Sequence, residues 1–517
     1  MKRYPISISS FKEIIEGNYI YVDKTALVYD LTLEYKYVFL NRPRRFGKTL
    51  LTSTLESYFL GEKSLFEGLN IDYQEKAWNK YPVLHFDFSS ATYEDGQQLQ
   101  RELNLKLLQY EEIYGKGEGE IDANQRLMGI IKRARQKANA PVVVLIDEYD
   151  KPLLDVMADN EKLKAIRLVM RNFYSPLKSC NDDLRFIFIT GITKFSQLSI
   201  FSELNNLQNI SMTPKFATIC GITKEEMLAE LKDGIKEMAK EEHISEEECM
   251  ENLRNNYDGY HFSKNSPDIF NPFSLLQALQ NQNTDPYWFT SATPTFLIQQ
   301  MKKFGVSPLS LGRQRAWASS FDAPTEDMNS ITPLLYQSGY LTIKDFDRTT
   351  QVYTLDIPNK EVREGLMNSL LPYVVGDDLQ IPAQLLVSDM YTAFLKDDFD
   401  KVMQLLKSYL STVPQTDNIC KDYEGHYQSL LFVIFSLLCR YVQIEVRTPR
   451  GRADVVLESP KYIYIIELKL DRSSESALDQ ITLKDYSARF ALSGKPTIKV
   501  GVNFSTETRN ITDWIIE

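Results

Sequence analysis

Histidine is scarce: there are four in 517 residues, at 85, 243, 261 and 426, and no two stand at i, i+4. That pattern excludes the paired helical histidines of a zinc hydrolase. The five cysteines, at 180, 220, 249, 420 and 439, are odd in number and include no Cys-x-x-Cys, so neither a disulfide framework nor a zinc site is indicated. Any metal must therefore be held by oxygen. No apolar run approaches the ~20 residues that cross a bilayer, and Met1-Lys2-Arg3-Tyr4-Pro5 leads into mixed polar sequence without an apolar signal core. A cytoplasmic chain with no membrane partner is expected. A surplus of positive charge is missing too: the net charge of −11 argues against nucleic-acid binding over the whole surface, while leaving room for a local basic channel. From Ser411 to Glu517 there are 13 Lys/Arg against 14 Asp/Glu, so most of the acidity lies upstream and the C-terminal part meets DNA with less repulsion.

What is present is ordinary globular protein, 43% hydrophobic and 25% charged. At roughly 100 to 200 residues per domain, the length suggests three or four domains. No internal repeat or low-complexity segment interrupts it.

The chain is organised around Tyr37-Val38-Phe39-Leu40-Asn41-Arg42-Pro43-Arg44-Arg45-Phe46-Gly47-Lys48-Thr49, an apolar strand that runs into a basic turn and opens a helix at Lys48. A strand, a tight loop and a helix N-terminus gather backbone N–H groups and the positive end of a helix dipole around one anion. Lys48 would reach the terminal phosphates of a nucleotide and Thr49 would offer its hydroxyl to magnesium. The usual pattern is Gly-x4-Gly-Lys-Ser/Thr, and Arg42 stands where the first glycine belongs, so on these letters a phosphate loop and a basic surface turn both remain open.

Pro141-Val142-Val143-Val144-Leu145-Ile146-Asp147-Glu148-Tyr149-Asp150 supplies the missing partner. Five consecutive aliphatic residues read as a strand buried on both faces, with acids at its carboxyl end, where ligands bind in a doubly wound sheet. Asp147 would orient hydrated magnesium and Glu148 polarise the attacking water. Val83 to Phe88 reads as a further strand and Arg185 to Gly191 as a fourth buried one, whose end places Thr190 or Thr193 to sense the γ-phosphate. Near the N-terminus, Tyr19 to Thr25 alternates as a strand does and closes on Asp23-Lys24-Thr25, which reads as a helix entry. The basic run Lys132 to Lys137 reads as a solvated helix face.

Tyr21-Val22-Asp23-Lys24-Thr25, the loop Arg42 to Thr49, Ile146-Asp147-Glu148-Tyr149-Asp150 and Thr190-Gly191-Ile192-Thr193-Lys194-Phe195-Ser196 together resemble the AAA-ATPase-like family, whose members commonly carry a nuclease-like C-terminal domain. The loop without its first glycine is that family's own variant. The resemblance implies a P-loop ATPase with a doubly wound sheet that binds ATP and magnesium through Arg44, Arg45, Phe46, Gly47, Lys48, Thr49, Asp147 and Thr190, with Glu148 catalytic. It also implies a helical lid over 216–330, in which the aromatic residues of Tyr257 to Ser263 and Ile269 to Ser274 read as packing. Helix, strand, turn and strand after Pro333 suggest a winged-helix module over 331–375, followed by a helical linker over 376–417.

Beyond the linker the order is helix (424–440), three strands (442–447, 454–457, 462–470), helix (474–491) and a last strand (497–503), similar to the core of the PD-(D/E)XK nuclease superfamily, a restriction-endonuclease-like α/β fold. Glu467 and Lys469 are two apart and share one face of the third strand. A hairpin turning near Pro460 can bring Asp454 across from that face. Asp454 and Glu467 would hold magnesium for phosphodiester cleavage, and Lys469 would position water or stabilise developing charge. By resemblance Glu424 completes the metal ligands, while Gln480 and Tyr486 match similarly placed residues of the superfamily.

The whole reads as an α/β multidomain chain: ATPase 1–215, lid 216–330, winged helix 331–375, linker 376–417 and nuclease-like domain 418–517. The expected function is an ATP-binding and hydrolysing regulator coupled to a magnesium-dependent nuclease acting on DNA, in defence or mobile-element handling. Two alternatives stay open: a nucleotide-switched signalling or interaction protein with an inert nuclease fold, and an ATP-driven remodeller. The expected partners are nucleotide and DNA, and homo-oligomer formation is left open.

Overall fold

The computed structural model describes residues 2–194, 206–290, 295–325, 328–375, 380–411, 430, 432–437, 441–448, 451–459, 461–484, 486, 490, 494–505, 507–508 and 510–517. The chain divides into two compact units, Met1–Trp288 with Arg315–Asn359, and Phe289–Gln314 with Lys360–Glu517.

The first unit is built on a five-stranded sheet in the order β2-β3-β4-β1-β5: Val83–Asp87, Val142–Asp147, Leu184–Gly191, Tyr37–Asn41 and Gln208–Asn209. All its neighbours are parallel. β1 and β3 are buried at every position, as expected of strands covered on both faces. On one face Phe39, Phe86, Val144 and Ile187 meet Leu99, Leu103 and Leu107 of helix Gly96–Tyr114 and Ile130 of helix Ala123–Ala138. On the other, Phe186 packs its ring 5.2 Å from that of Phe59 at the end of helix Lys48–Phe59. Each such aliphatic or aromatic side chain contributes about 1.5–3 kcal/mol relative to its exposed state.

The helices begin where side chains can accept from their first free N–H groups. Asp95 accepts from Gln98 N at 2.8 Å, and Asp122 and Gln125 close a capping box. The basic run on helix Ala123–Ala138 is a solvated face, exposed at Lys132, Arg135, Gln136 and Lys137, and part of its charge is paired: Arg133 with Glu120 and Arg135 with Asp183, while Lys137 Nζ donates to Ile113 O at 2.9 Å.

After the sheet, helices Lys224–Glu230, Lys232–Glu241, Glu246–Tyr257 and Pro272–Asn281 form a second core around Met227, Ile235, Leu253, Phe270 and Leu275. Tyr257, Tyr260, Phe262 and Phe270 are buried, so these aromatic residues do pack. Helix Thr332–Gln337 falls in the chain between the first and second strands of the three-stranded sheet β6-β8-β7, made of Gln314–Ala316, Val352–Asp356 and Thr342–Asp347.

One expectation fails here. Tyr19 to Thr25 is not a strand: Tyr19 makes an isolated bridge with Arg3, and Asp23 then turns the chain by accepting from Thr25 N at 2.8 Å and from Thr25 Oγ1 at 2.6 Å. Alternation alone cannot make a strand without a neighbour to pair with. The helix entry expected at Asp23-Lys24-Thr25 is there, and helix Thr25–Glu34 starts from it.

The second unit carries a sheet in the order β13-β12-β11-β10-β9: Asn510–Ile516, Thr497–Ser505, Ile463–Leu470, Gly451–Glu458 and Tyr441–Thr448. β11 and β12 are parallel and the other pairs antiparallel. The sequence expectation stopped at Thr497–Asn503, whereas the chain returns as β13 and shields that edge. Helices Gln380–Leu395 and Phe399–Leu410 lie against this sheet, with Phe399 stacked on Tyr464 at 4.4 Å and Trp514 Nε1 donating to Asp400 Oδ1 at 2.8 Å. Among the described residues no helix is long and apolar enough to cross a membrane, and Cys180, Cys220 and Cys249 are free and buried.

Candidate nucleotide and nuclease sites

The carboxyl ends of β1, β3 and β4 bring the basic loop, Asp147-Glu148 and Thr190 to one edge of the parallel sheet. Leaving β1, the chain passes through left-handed backbone at Arg45 (φ +68°) and Gly47 (φ +87°) before helix Lys48–Phe59 begins. Gly47 takes that conformation without strain, whereas for Arg45 it is unfavourable and must be held by its surroundings. The Arg45 guanidinium lies 4.4 Å over the Phe273 ring, and Trp288 Nε1 donates to Arg44 O at 3.3 Å. Phe46 is buried edge-on to Tyr260 and Phe262, at 4.7 and 5.3 Å.

Lys48 is 4% exposed. Its Nζ donates to the carbonyls of Arg42 and Pro43 at 3.2 Å each and stands 3.8 Å from Glu148 Oε1. Glu148 is itself in left-handed backbone (φ +50°), the kind of outlier that collects at functional sites. Asp147 is 1% exposed. Its Oδ1 accepts from Glu148 N at 2.9 Å, and Oδ2 is buried with no hydrogen bond of ordinary geometry among the described residues. Burial, then Glu148, push this carboxyl up to about 6, against the lowering pull of Lys48 and the Thr49 hydroxyl. A divalent cation fits Asp147 and Thr49, because it supplies the positive charge that the strand-end acids lack, and Lys48 at the helix N-terminus suits the phosphates that would accompany it.

Asp150 is fully buried and takes three hydrogen bonds on Oδ2, from Ile192 N (3.0 Å), Thr193 N (2.6 Å) and Thr193 Oγ1 (2.6 Å). Burial and Glu148 raise its pKa. It thereby fixes the turn that follows β4, and Gly191 must remain without a side chain, since a Cβ there would come 2.3 Å from Asp150 Oδ1. The Thr190 hydroxyl is buried and donates to Leu40 O at 2.8 Å, holding β4 to β1.

In the second unit, Glu467 and Lys469 stand on one face of β11. Lys469 Nζ lies 3.1 Å from Glu467 Oε1 and donates to Gln480 Oε1 at 2.7 Å. Gln480, on helix Ser474–Leu483, gives its Nε2 to Glu467 Oε1 and stands 3.3 Å from the Tyr486 hydroxyl. One carboxylate, one ammonium, one amide and one phenol thus converge. The register of β10 on β11 pairs Val455 with Ile466, the residues adjacent in the chain to Asp454 and Glu467. The Asp454 side chain and all of Glu424 lie outside the described residues. The oxygen donor of Glu467 suits a hard divalent cation.

The profile of a family described as Predicted AAA-ATPase matches residues 5–201, and that of the PD-(D/E)XK nuclease superfamily matches residues 422–514. An uncharacterized protein in the vnfD 5′ region of Azotobacter chroococcum mcd 1 is 31% identical over 524 residues, spanning 100% of this chain and 99% of that protein. The chain belongs to the AAA-ATPase-like family. Its C-terminal part is a PD-(D/E)XK nuclease superfamily domain. Both families generally use divalent metals, and the first uses ATP.

Several residues that build the site of this AAA-ATPase-like protein escape a sequence reading. Lys194 N donates to Gln337 Oε1 at 2.7 Å and Lys194 Nζ pairs with Asp322 at 2.9 Å, so the end of β4 is held by the segment before β7. Lys24 pairs with Glu226 at 2.5 Å, across 202 residues of chain. No local spacing signals such partners. Asp150 was within reach, as the third acid of Asp147-Glu148-Tyr149-Asp150, but its task is set by Thr193.

Proposed function

We propose that this protein binds and hydrolyses ATP at the Lys48 loop and uses the nucleotide state to control magnesium-dependent phosphodiester cleavage at Glu467 and Lys469, with DNA as substrate. The observation that carries the reading is the buried Asp147 carboxylate, pushed up to about 6 by burial and by Glu148, with the Lys48 ammonium 3.8 Å from Glu148 Oε1: two strand-end acids sharing one lysine beside a helix N-terminus. Bound magnesium would supply charge neutralisation to the phosphates and to Asp147. Lys48 donates to the terminal phosphates, Thr49 and Asp147 hold the metal side, and Glu148 orients the attacking water and takes its proton. Arg44 and Arg45, at the exposed lip of the loop, add positive potential.

In the nuclease part, Glu467 with Asp454 and Glu424 holds the metal, Lys469 stabilises negative charge at the scissile phosphate, and Gln480 keeps the Glu467 carboxylate oriented. The helices of 216–330 act as a lid and 331–375 as a winged-helix module, while the helical linker 376–417 leads into the nuclease of 418–517, against whose sheet its helices Gln380–Leu395 and Phe399–Leu410 pack. Defence against foreign DNA or handling of mobile elements is the role that suits a nuclease kept under nucleotide control.

The test is a cleavage assay with the full chain, supercoiled and linear DNA, magnesium or manganese, with and without ATP. Nicking that disappears in Asp454→Ala and Glu467→Gln, and loses its ATP dependence in Lys48→Ala, supports the reading. Cleavage that survives in both acidic variants defeats the site assignment.

A further inference from the structure

Arg42 occupies the position where an ordinary phosphate loop has its first glycine, and its side chain makes a site of its own. Arg42 is 1% exposed. Nη1 donates to Asn41 O at 3.0 Å and Ser211 O at 2.8 Å, and Nη2 to Phe216 O at 3.3 Å and Ala217 O at 3.4 Å. Its carbon centre lies 4.2 Å over the Phe262 ring. Among the described residues no carboxylate is paired with it, Nε is buried without a partner, and burial lowers its pKa. Carbonyl dipoles and one aromatic face solvate this cation in place of an anion.

The backbone of the same residue lies inside the candidate nucleotide site. Arg42 N donates to Gly191 O at 3.2 Å, tying the loop to the end of β4, and Arg42 O accepts from Lys48 Nζ at 3.2 Å. The Phe262 turn is in turn fastened to β7, since His261 N donates to Thr342 Oγ1 at 2.8 Å and Thr342 Oγ1 donates back to His261 O at 3.1 Å. A contiguous series of packed groups therefore runs from Lys48 through Arg42 and Phe262 to Thr342. Glycine at position 42 would end that series at the loop.

We propose that Arg42 is a positioning residue: its buried fork fixes the loop that presents Lys48 and links nucleotide affinity to the docking of the Tyr257–Ser263 turn and β7. The proposal rests on the reading of the loop as a nucleotide site. It makes seating of the turn and occupancy of the loop reciprocal, because whatever weakens one weakens the other by the same factor. The planar fork is required as well as the charge, since a lysine ammonium cannot reach four carbonyls while lying flat on a ring.

The experiment is calorimetric titration of the full chain with Mg·ATP, together with amide hydrogen exchange, for wild type, Arg42→Lys, Phe262→Leu, Phe262→Tyr and Lys48→Ala. Phe262→Leu keeps an apolar side chain of somewhat smaller volume and removes the π face, and is expected to weaken ATP binding about tenfold. Phe262→Tyr restores the affinity, and Arg42→Lys behaves as Phe262→Leu does. Mg·ATP should slow exchange in 257–263 and 342–347 of the wild type, and this protection should vanish in Phe262→Leu. Should Arg42→Lys fail to fold, the Phe262 pair decides alone. Wild-type affinity and unchanged protection in Phe262→Leu overturn the inference while leaving the nucleotide site intact, provided Lys48→Ala abolishes binding. A folded wild type that binds no ATP overturns the reading of the loop and the inference with it.

Discussion

At the edge of the parallel sheet Asp147 is 1% exposed, and on β11 Glu467 is 2% exposed, yet the protein treats these two buried carboxylates in opposite ways. Asp147 has Glu148 beside it, its pKa is pushed up to about 6, and the backbone around it passes through left-handed conformations at Arg45 and Glu148. Glu467 sits in regular strand with Lys469 at 3.1 Å and the Gln480 amide on the same oxygen. The first site is a strained loop edge short of positive charge, which a ligand relieves. The second is held ready by its own side chains before any ligand arrives. A switch needs the former arrangement, in which occupancy alters the local balance of energy, and a cutting site needs the latter, in which reacting groups are already oriented.

This contrast can be broken by experiment. The largest effect is expected from Glu148→Gln, which leaves ATP binding in place and slows hydrolysis by about 10²–10⁴-fold; single-turnover measurements at saturating ATP check it, and an unaltered rate would place the water-orienting group elsewhere. Next comes Lys469→Ala, expected to slow DNA cleavage by roughly 10²–10³-fold with metal affinity little changed. Gln480→Ala should act through Glu467 and weaken the metal dependence of cleavage by about 10–100-fold, so a manganese titration that shifts for Gln480→Ala and not for Lys469→Ala separates the two roles.

The smaller effects concern stability. Asp258 lies outside both sites, and burial pushes its pKa up from 3.8 to about 6. A raised carboxyl binds its proton more tightly in the folded state, so stability falls as pH rises from about 4 to about 6 and levels off above. Asp258→Asn should remove that part of the fall and raise stability at pH 7.5 by about 2–3 kcal/mol. Denaturant melts at pH 4.5 and 7.5 test this, and an equal effect at both pH values would rule it out. Glu148→Gly should relieve the left-handed backbone and stabilise the ATP-free protein by about 1 kcal/mol while abolishing hydrolysis. A less stable Glu148→Gly protein would mean that the loop edge stores no strain, and the contrast with β11 would lose half its content.

Much of this was legible from residues alone. Tyr37 to Leu40 reads as an apolar strand and Val142 to Ile146 as one buried on both faces, because no polar residue interrupts the run, and both strands are buried throughout. Glu467 and Lys469 read as neighbours because strand side chains alternate with period two. The short polar β5, Gln208–Asn209, and the mixed β13 gave no comparable signal, and Tyr19 to Thr25 gave a false one, since pairing depends on a partner elsewhere in the chain.

Sequence by itself determined the two acidic strand ends, the basic loop and the order of elements, because hydrophobic periodicity and helix entry act over a few residues. Only the tertiary structure decided that the Arg42 fork turns inward onto Ser211, Phe216 and Ala217, that Lys194 is held by Gln337 and Asp322, and that Thr190 binds β1. The physical reason is common to all three. A buried polar group must find a partner, and the partner is chosen by which backbones the packed core brings within 3 Å or so, not by anything adjacent in the chain.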